Sequence, residues 1–267
     1  MGSNAQKDAW SAITNAPLDG LLTLKENDDS WSTWAYSVCL MALGDYRAAQ
    51  AALQLLERNL GTSKPSEVSE VRGLAAATLA SGLRQIGEHE QAVAHDELAC
   101  LGPGSAQVDG LIGLAADCVG RGQASEAAAT LTKVAQLLNG WRDQVRYHWV
   151  RSEVALLTED AATAIYHANQ AKSEAARSPR HLAKSLLFLG VARDMSKTAD
   201  GDDQLLEAVD LAQTLQLRPI LWPAVRVLGD RATAAQQAAA TDALSFISQR
   251  LPPGLGSHWE GRHVAGH

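Results

Sequence analysis

The side chains suited to catalysis or metal binding are scattered along this sequence and form no recognisable motif for one reaction. His89 and His95 lie six positions apart, so on a helix they would face different directions. His148 and His167 belong to different predicted helices. A zinc site needs at least three converging ligands, which this spacing does not supply. We therefore expect no metal and no cofactor.

Two further patterns would suit a phosphate or a calcium ion. The segment GPGSAQ, residues 102–107, begins like a phosphate-binding loop, but it ends in glutamine and no predicted strand precedes it. The acidic runs at residues 26–29 and 200–203 lack the alternating ligands and distal glutamate of a calcium loop. Each run comes directly before a predicted helix, where carboxylates cap free amides. Nothing singles out a catalytic pair, so we predict a protein that is not an enzyme.

Composition and net charge disfavour further classes of function. The chain has 267 residues, is rich in alanine and leucine, and carries a net charge of −7, which disfavours direct nucleic-acid binding and binding to anionic membranes. No stretch approaches ~20 uninterrupted apolar residues, the length of a membrane span. Cys39, Cys100 and Cys118 lie among apolar residues, as reduced structural thiols do. We expect a cytoplasmic protein without membrane insertion.

The elements that must position any site are helical hairpins. Four stretches align on their turns, whose first residues are Gly44, Gly87, Gly122 and Glu159. A small residue stands seven positions before each turn, namely Ser37, Ala80, Ala115 and Ser152. An alanine stands five positions after each turn, namely Ala49, Ala92, Ala127 and Ala164. Two antiparallel helices approach closely where side chains are small, and a left-handed glycine ends the first helix at little cost.

This pattern resembles the tetratricopeptide repeat family, and ALGDYRAAQAAL, residues 42–53, is the best single match. The resemblance covers residues 30–175 and implies an all-α fold, a right-handed superhelix (α-solenoid) of stacked antiparallel helix pairs. The repeats are degenerate, since Glu159 replaces the usual glycine, Arg151 a usual leucine and Asp96 a usual large apolar residue. Other arrays of helical hairpins also fit.

The two ends of the chain extend the array. Residues 1–29 are predicted to form capping helices anchored by Trp10, and residues 176–250 to form degenerate helical pairs with a tight crossing at Gly190. The segment LRPILWPAVRVLGD, residues 217–230, resembles the last repeats in the helical region of large bacterial transcriptional activators. Residues 251–267 are predicted to be a flexible tail.

In the tetratricopeptide family the first helices line a concave groove, and the resemblance places aromatic anchors and charges there. The predicted partner-binding residues are Trp31, Trp34, Val38, Ser81, Arg84, Asp109, Ile112, Arg146, Trp149 and Glu153. The tryptophans equally suit a role in sealing helix packing. The carboxylate clamp of chaperone-binding family members is ruled out, because the matching positions hold Trp34, Val38, Thr78, Asp109 and Gly113.

We therefore predict a non-enzymatic scaffold that binds a protein or peptide segment in its concave groove. The alternative is a regulatory module, related to transcriptional activators, that senses a small molecule or peptide. A helical array with an unrecognised catalytic site is the third alternative. We also expect a homodimer through the C-terminal helices, where Trp222 and Phe246 could present an apolar end.

Overall fold

The computed structural model describes residues 3–24, 29–61, 69–197 and 201–255, and within these ranges it is helical with no strand. The α-helices are α1 (Asn4–Thr14), α2 (Pro17–Leu24), α3 (Ser30–Leu43), α4 (Tyr46–Leu60), α5 (Glu70–Gln85), α6 (His89–Cys100), α7 (Ser105–Gly120), α8 (Ala124–Val134), α9 (Trp141–Leu157), α10 (Ala161–Glu174), α11 (Pro179–Met195), α12 (Gly201–Thr214), α13 (Arg218–Leu228) and α14 (Ala234–Gln249). None of these helices is long and apolar enough to cross a membrane. The all-α prediction is confirmed.

The first residue of each of the four predicted turns has a positive φ angle. Gly44, Gly87 and Gly122 have positive φ angles of 85°, 84° and 75°. Glu159 also adopts the left-handed region, with φ 58°, although it carries a side chain. The fourth repeat therefore keeps the turn geometry without the glycine, at the steric cost that L residues incur in this region.

The small residues lie where the hairpins cross. The eight residues predicted to make the close crossings are fully buried, with no exposed surface on Ser37, Ala80, Ala115, Ser152, Ala49, Ala92, Ala127 or Ala164. In the fifth hairpin a Cβ added to Gly190 would lie 2.5 Å from Cγ of Leu205. Burial of these small side chains is what close packing of paired helices requires, and in the fourth hairpin the Ser152 hydroxyl donates to the Ala164 carbonyl at 3.1 Å.

The array curves until its last pair contacts its first. The odd-numbered helices from α3 to α13 form an inner layer in which each contacts the next, and α13 in turn contacts α3. Beside this contact, Arg218 donates to the Leu43 carbonyl at 3.2 Å. The Arg47 amide donates to the Arg250 carbonyl at 2.8 Å, which joins α4 to the end of α14. Neighbour-to-neighbour packing is confirmed, while superhelical handedness and membership of the tetratricopeptide family stay predictions.

The two C-terminal aromatic residues, Trp222 and Phe246, make contacts within the chain. The guanidinium groups of Arg218 and Arg250 lie 3.8 and 3.7 Å from the ring centre of Phe246. Trp222 packs against the clusters that join α13 and α14 to the first hairpin. Because these contacts cover the surface that motivated the dimer, dimerisation stays a prediction without structural support.

Asp29 caps α3 as predicted, accepting from the amides of Trp31 and Ser32. Residues 26–28 of the first acidic run and Asp200 of the second lie outside the described residues, as do residues 256–267 of the predicted tail.

Candidate functional site

The inner layer of helices encloses a cavity of about 300 Å³, here called the central chamber. All six inner helices contribute to its lining, through one residue of α7 and several from each of the others. On α9 the lining residues are Arg142, Arg146, Trp149 and Glu153, whose spacing places them on one helical face. A second cavity of about 370 Å³, the side pocket, lies between α5, α7, α9 and α11. It shares six lining residues with the chamber, namely Ser81, Gln85, Arg146, Trp149, Glu153 and Lys184.

One wall of the central chamber is aromatic. The rings of His181 and Trp149 stack with centres 5.6 Å apart, and Trp149 and Phe188 stack at 6.2 Å. The indole nitrogen of Trp149 donates to Ser185 Oγ at 2.9 Å, which fixes the ring orientation. Burial, with nearby arginines adding, holds the pKa of His181 well below its usual value, so this ring is neutral at pH 7. This wall of the chamber is therefore aromatic and uncharged.

Asp109 is the carboxylate at the centre of the polar wall. Arg142 holds it with two hydrogen bonds, at 2.9 and 2.8 Å, and Arg146 Nε lies 3.0 Å away. Burial raises the pKa of Asp109, but the two guanidinium groups outweigh burial, and the pKa lies below its usual value. Asp109 is therefore ionised and divides its charge between two arginines.

Two further cations of the chamber lack such a partner. Arg180 donates to the Ile13 carbonyl at 3.2 Å, while its Nε is buried without an acceptor. Lys184 Nζ lies 4.5 Å from the ring centre of Trp149. Among the described residues, neither has a carboxylate within ion-pair distance. The chamber therefore contains positive charge that its own carboxylates do not pair.

The side pocket holds a buried ionic network. Arg84 pairs with Asp96, and its NH1 lies 3.4 Å from Asp117, which in turn lies 3.5 Å from His89 Nδ1. Burial raises the pKa of Asp96, and Asp117 raises it further, against the effect of Arg84. Asp96, the departure from the repeat pattern, is thus explained by a charged partner on α5. A Cβ on Gly113 would meet this carboxylate, which accounts for the glycine.

Helix α1 contacts the N-terminal ends of α5, α9 and α11, and at α5 the Gln6 side-chain amide donates to Glu70 at 3.2 Å. Its Ile13 and Thr14 carbonyls accept from Arg180 and Ser178 of the α11 end, the latter at 2.7 Å. The Trp10 ring lies 5.2 Å from the guanidinium of Arg142. Two cations that line the chamber therefore also hold α1 over one of its ends.

The structure separates the predicted binding residues into two groups. Eight of them line the chamber, the side pocket or both, namely Val38, Ser81, Arg84, Asp109, Ile112, Arg146, Trp149 and Glu153. Trp31 and Trp34 instead form edge contacts beneath α1, with Trp10 4.9 Å from Trp34. Trp34 is 1% exposed, so it packs α1 onto α3.

Sequence reasoning missed Arg142, Arg180, His181 and Lys184. The sequence left open which helix faces the groove in the fourth and fifth pairs, so the inward face of α11 was not assigned. A signal was present in PRHLAKSLLFLG, residues 179–190, where two cations four positions apart lie on the same face as Phe188.

A second titratable cluster lies between α9 and α10. His148 and His167 share a hydrogen bond of 2.9 Å between their Nδ1 atoms, and Arg151 Nε donates to His167 at 3.3 Å. Burial, together with Arg151, lowers the pKa of both histidines to about 4. Within the described ranges no three histidine, cysteine or acidic side chains are grouped to hold a metal ion.

Comparison with known proteins assigns this chain to no family. No protein-family model matches this sequence, and no curated protein is significantly similar to it. The functional argument therefore rests on the central chamber and on α1.

Proposed function

We propose that this chain is a regulatory module that binds a small molecule in the central chamber and signals its presence through α1. The observation that carries the proposal is the double role of Arg142 and Arg180, which line the chamber and also hold α1. A ligand that engages either guanidinium competes with its contact to α1. Binding and α1 docking are then linked, which is the requirement for a sensor.

The dimensions favour a small molecule over a protein segment. A cavity of about 300 Å³ is at the small end of ligand pockets, and six helices surround it. The polar side chains that converge on an apolar wall are also typical of such pockets. As proposed, the module binds and signals without catalysing a reaction.

The scaffold function is the second candidate, and α1 itself is the observation that favours it. A short helix anchored by Trp10 already lies on the ends of the inner helices, in the manner of helix-in-groove recognition. A partner helix that replaces α1 would use the same surface. In this case the partner contacts Trp34 and Arg142 rather than the interior of the chamber.

The test measures hydrogen exchange of α1 with and without a low-molecular-mass fraction of a cell extract. We expect faster exchange of α1 amides in the wild type and no response in Ser81→Phe, which fills the chamber and the adjoining mouth of the side pocket from α5. Ala51→Phe adds the same ring on the exposed side of α4 and should respond like the wild type. Equal responses in the two variants would refute a chamber ligand.

A further inference from the structure

The chamber lining carries more positive than negative charge, although the protein as a whole is acidic. Its basic side chains are Arg142, Arg146, Arg180 and Lys184, and its acidic ones are Asp109 and Glu153, of which Glu153 has a pKa raised by burial. The net charge of the chain is −7, so this excess is local. Arg142 and Arg146 share the single carboxylate of Asp109, whereas Arg180 and Lys184 on α11 have no carboxylate within ion-pair distance among the described residues.

The two α11 cations are four positions apart and face the same space. Glu153 favours the charged form of Lys184 without forming an ion pair with it, so an incoming anion would offset part of the cost of withdrawing the two cations from water. The buried Nε of Arg180 is a donor without an acceptor. An acceptor atom of a ligand at this position would complete its hydrogen bonding.

The aromatic wall lies next to these cations. Lys184 Nζ is within 4.5 Å of the Trp149 ring centre and 5.6 Å of the Phe188 ring centre. A flat apolar group can therefore contact the wall while an acidic group attached to it reaches the ammonium. Offset stacking on such rings contributes beyond the apolar area that is buried.

We propose that the ligand of the central chamber is a small amphipathic anion, with its flat apolar part on the Trp149–Phe188 wall and its carboxylate or phosphate head at Arg180 and Lys184. This inference rests on the ligand-binding function proposed above and specifies the chemical class of the ligand.

The proposal also predicts that ligand affinity depends on pH, through the protonation of Lys184. Burial lowers the pKa of Lys184 to about 8; Glu153 opposes this change, and Arg146, Arg84 and Arg180 add to it. His181, the other titratable neighbour, is neutral. An anion favours the ammonium form, so affinity should be full below pH 8 and fall above it.

The test compares three probes of one shape and different charge by calorimetric titration at pH 7. These are indole-3-acetate, the neutral indole-3-acetamide and the cationic tryptamine. We expect the acetate to bind at least about tenfold more tightly than the amide, with the amine weakest. Phenyl phosphate, titrated in parallel, distinguishes a phosphate from a carboxylate head group by which anion binds more tightly.

Lys184→Met should weaken the acetate about tenfold and remove the decrease in affinity between pH 7 and pH 9. Lys172→Met is the matched control, because Lys172 lies on α10 beside Gln204 and outside the chamber. It should bind the acetate like the wild type.

Equal affinity for acetate and amide, tighter binding of the amine, or no binding of either anion at about 1 mM would overturn the proposal. So would an unchanged acetate affinity in folded Lys184→Met. The regulatory function and the ligand class can be refuted independently of each other. If anions bind but α1 exchange does not change, the regulatory function fails and the ligand class stands. If a neutral molecule from the extract releases α1 through the chamber, the function stands and the ligand class fails.

Discussion

Replacing Asp109 by asparagine removes one charge from the centre of the polar wall at nearly constant shape. Arg142 and Arg146 then lose their shared counter-ion while their side chains remain only 15% and 17% exposed. Breaking a buried ion pair from one side costs about 3–5 kcal/mol. Because both guanidinium groups keep some contact with water, we expect a loss of about 3 kcal/mol in the free energy of unfolding.

The assay is urea denaturation at pH 7, followed by circular dichroism. The pKa of Asp109 is depressed in the folded state, so its contribution is present above the unfolded pKa of about 4 and is lost as the pH falls through the folded value. At pH 7 the full effect is therefore measured. A double-mutant cycle with Arg142→Met isolates the pair, and we expect a coupling of about 1.5–3 kcal/mol.

An exposed ion pair supplies the comparison. Arg231 lies 2.8 Å from Asp194, with both side chains about two-fifths exposed. Asp194→Asn should cost at most about 1 kcal/mol. If Asp109→Asn costs no more than Asp194→Asn, or if the cycle shows no coupling, the chamber wall is solvated and the argument from its buried charges is refuted.

Three further predictions concern the scaffold. Glu159→Gly should raise the stability to urea by about 0.5–1 kcal/mol, because it removes the left-handed strain of a residue with φ 58°. Gly190→Ala should lower it by about 1–3 kcal/mol through the clash with Leu205, and Leu205→Ala in the same chain should reduce that penalty. Acidification from pH 6.5 to pH 4 should destabilise the fold through His148 and His167, whose folded pKa values of about 4 lie below the unfolded value. Solvent screening limits this last effect to about 1–2 kcal/mol, measured as the difference between the wild type and a double asparagine variant.

Each of these three predictions has an outcome that would contradict it. Gly122→Ala, at φ 75° with nothing near its added Cβ, should lose about 1 kcal/mol, and a gain there would contradict the reasoning for Glu159. A Gly190→Ala variant of unchanged stability would show that α11 and α12 separate easily. An identical acid response in the double asparagine variant would assign the acid sensitivity to other groups.

The hairpins were predictable because their signals are local. A left-handed turn residue and a small residue on each side of it lie within about a dozen positions, and their spacing alone shows which faces meet. Even where Glu159 replaces glycine, the neighbouring small residues preserve the hairpin, and the backbone accepts the strain. On α9 the resemblance to tetratricopeptide repeats placed Trp149 and Glu153 on the groove wall and Arg146 toward its edge, and all three line the chamber. The sequence alone did not fix which helix of this fourth pair faces inward.

Only the tertiary structure decided what the inner faces enclose. The contact of α13 with α3 depends on small rotations added over six hairpins, which no local pattern records. That contact turns a groove into a chamber and brings Arg180 and Lys184 opposite α9. The sequence by itself thus determined helical pairs and their crossings through short-range spacing. The chamber, its unpaired cations and the position of α1 over its end arise from contacts between residues far apart in the chain, and so required the folded structure.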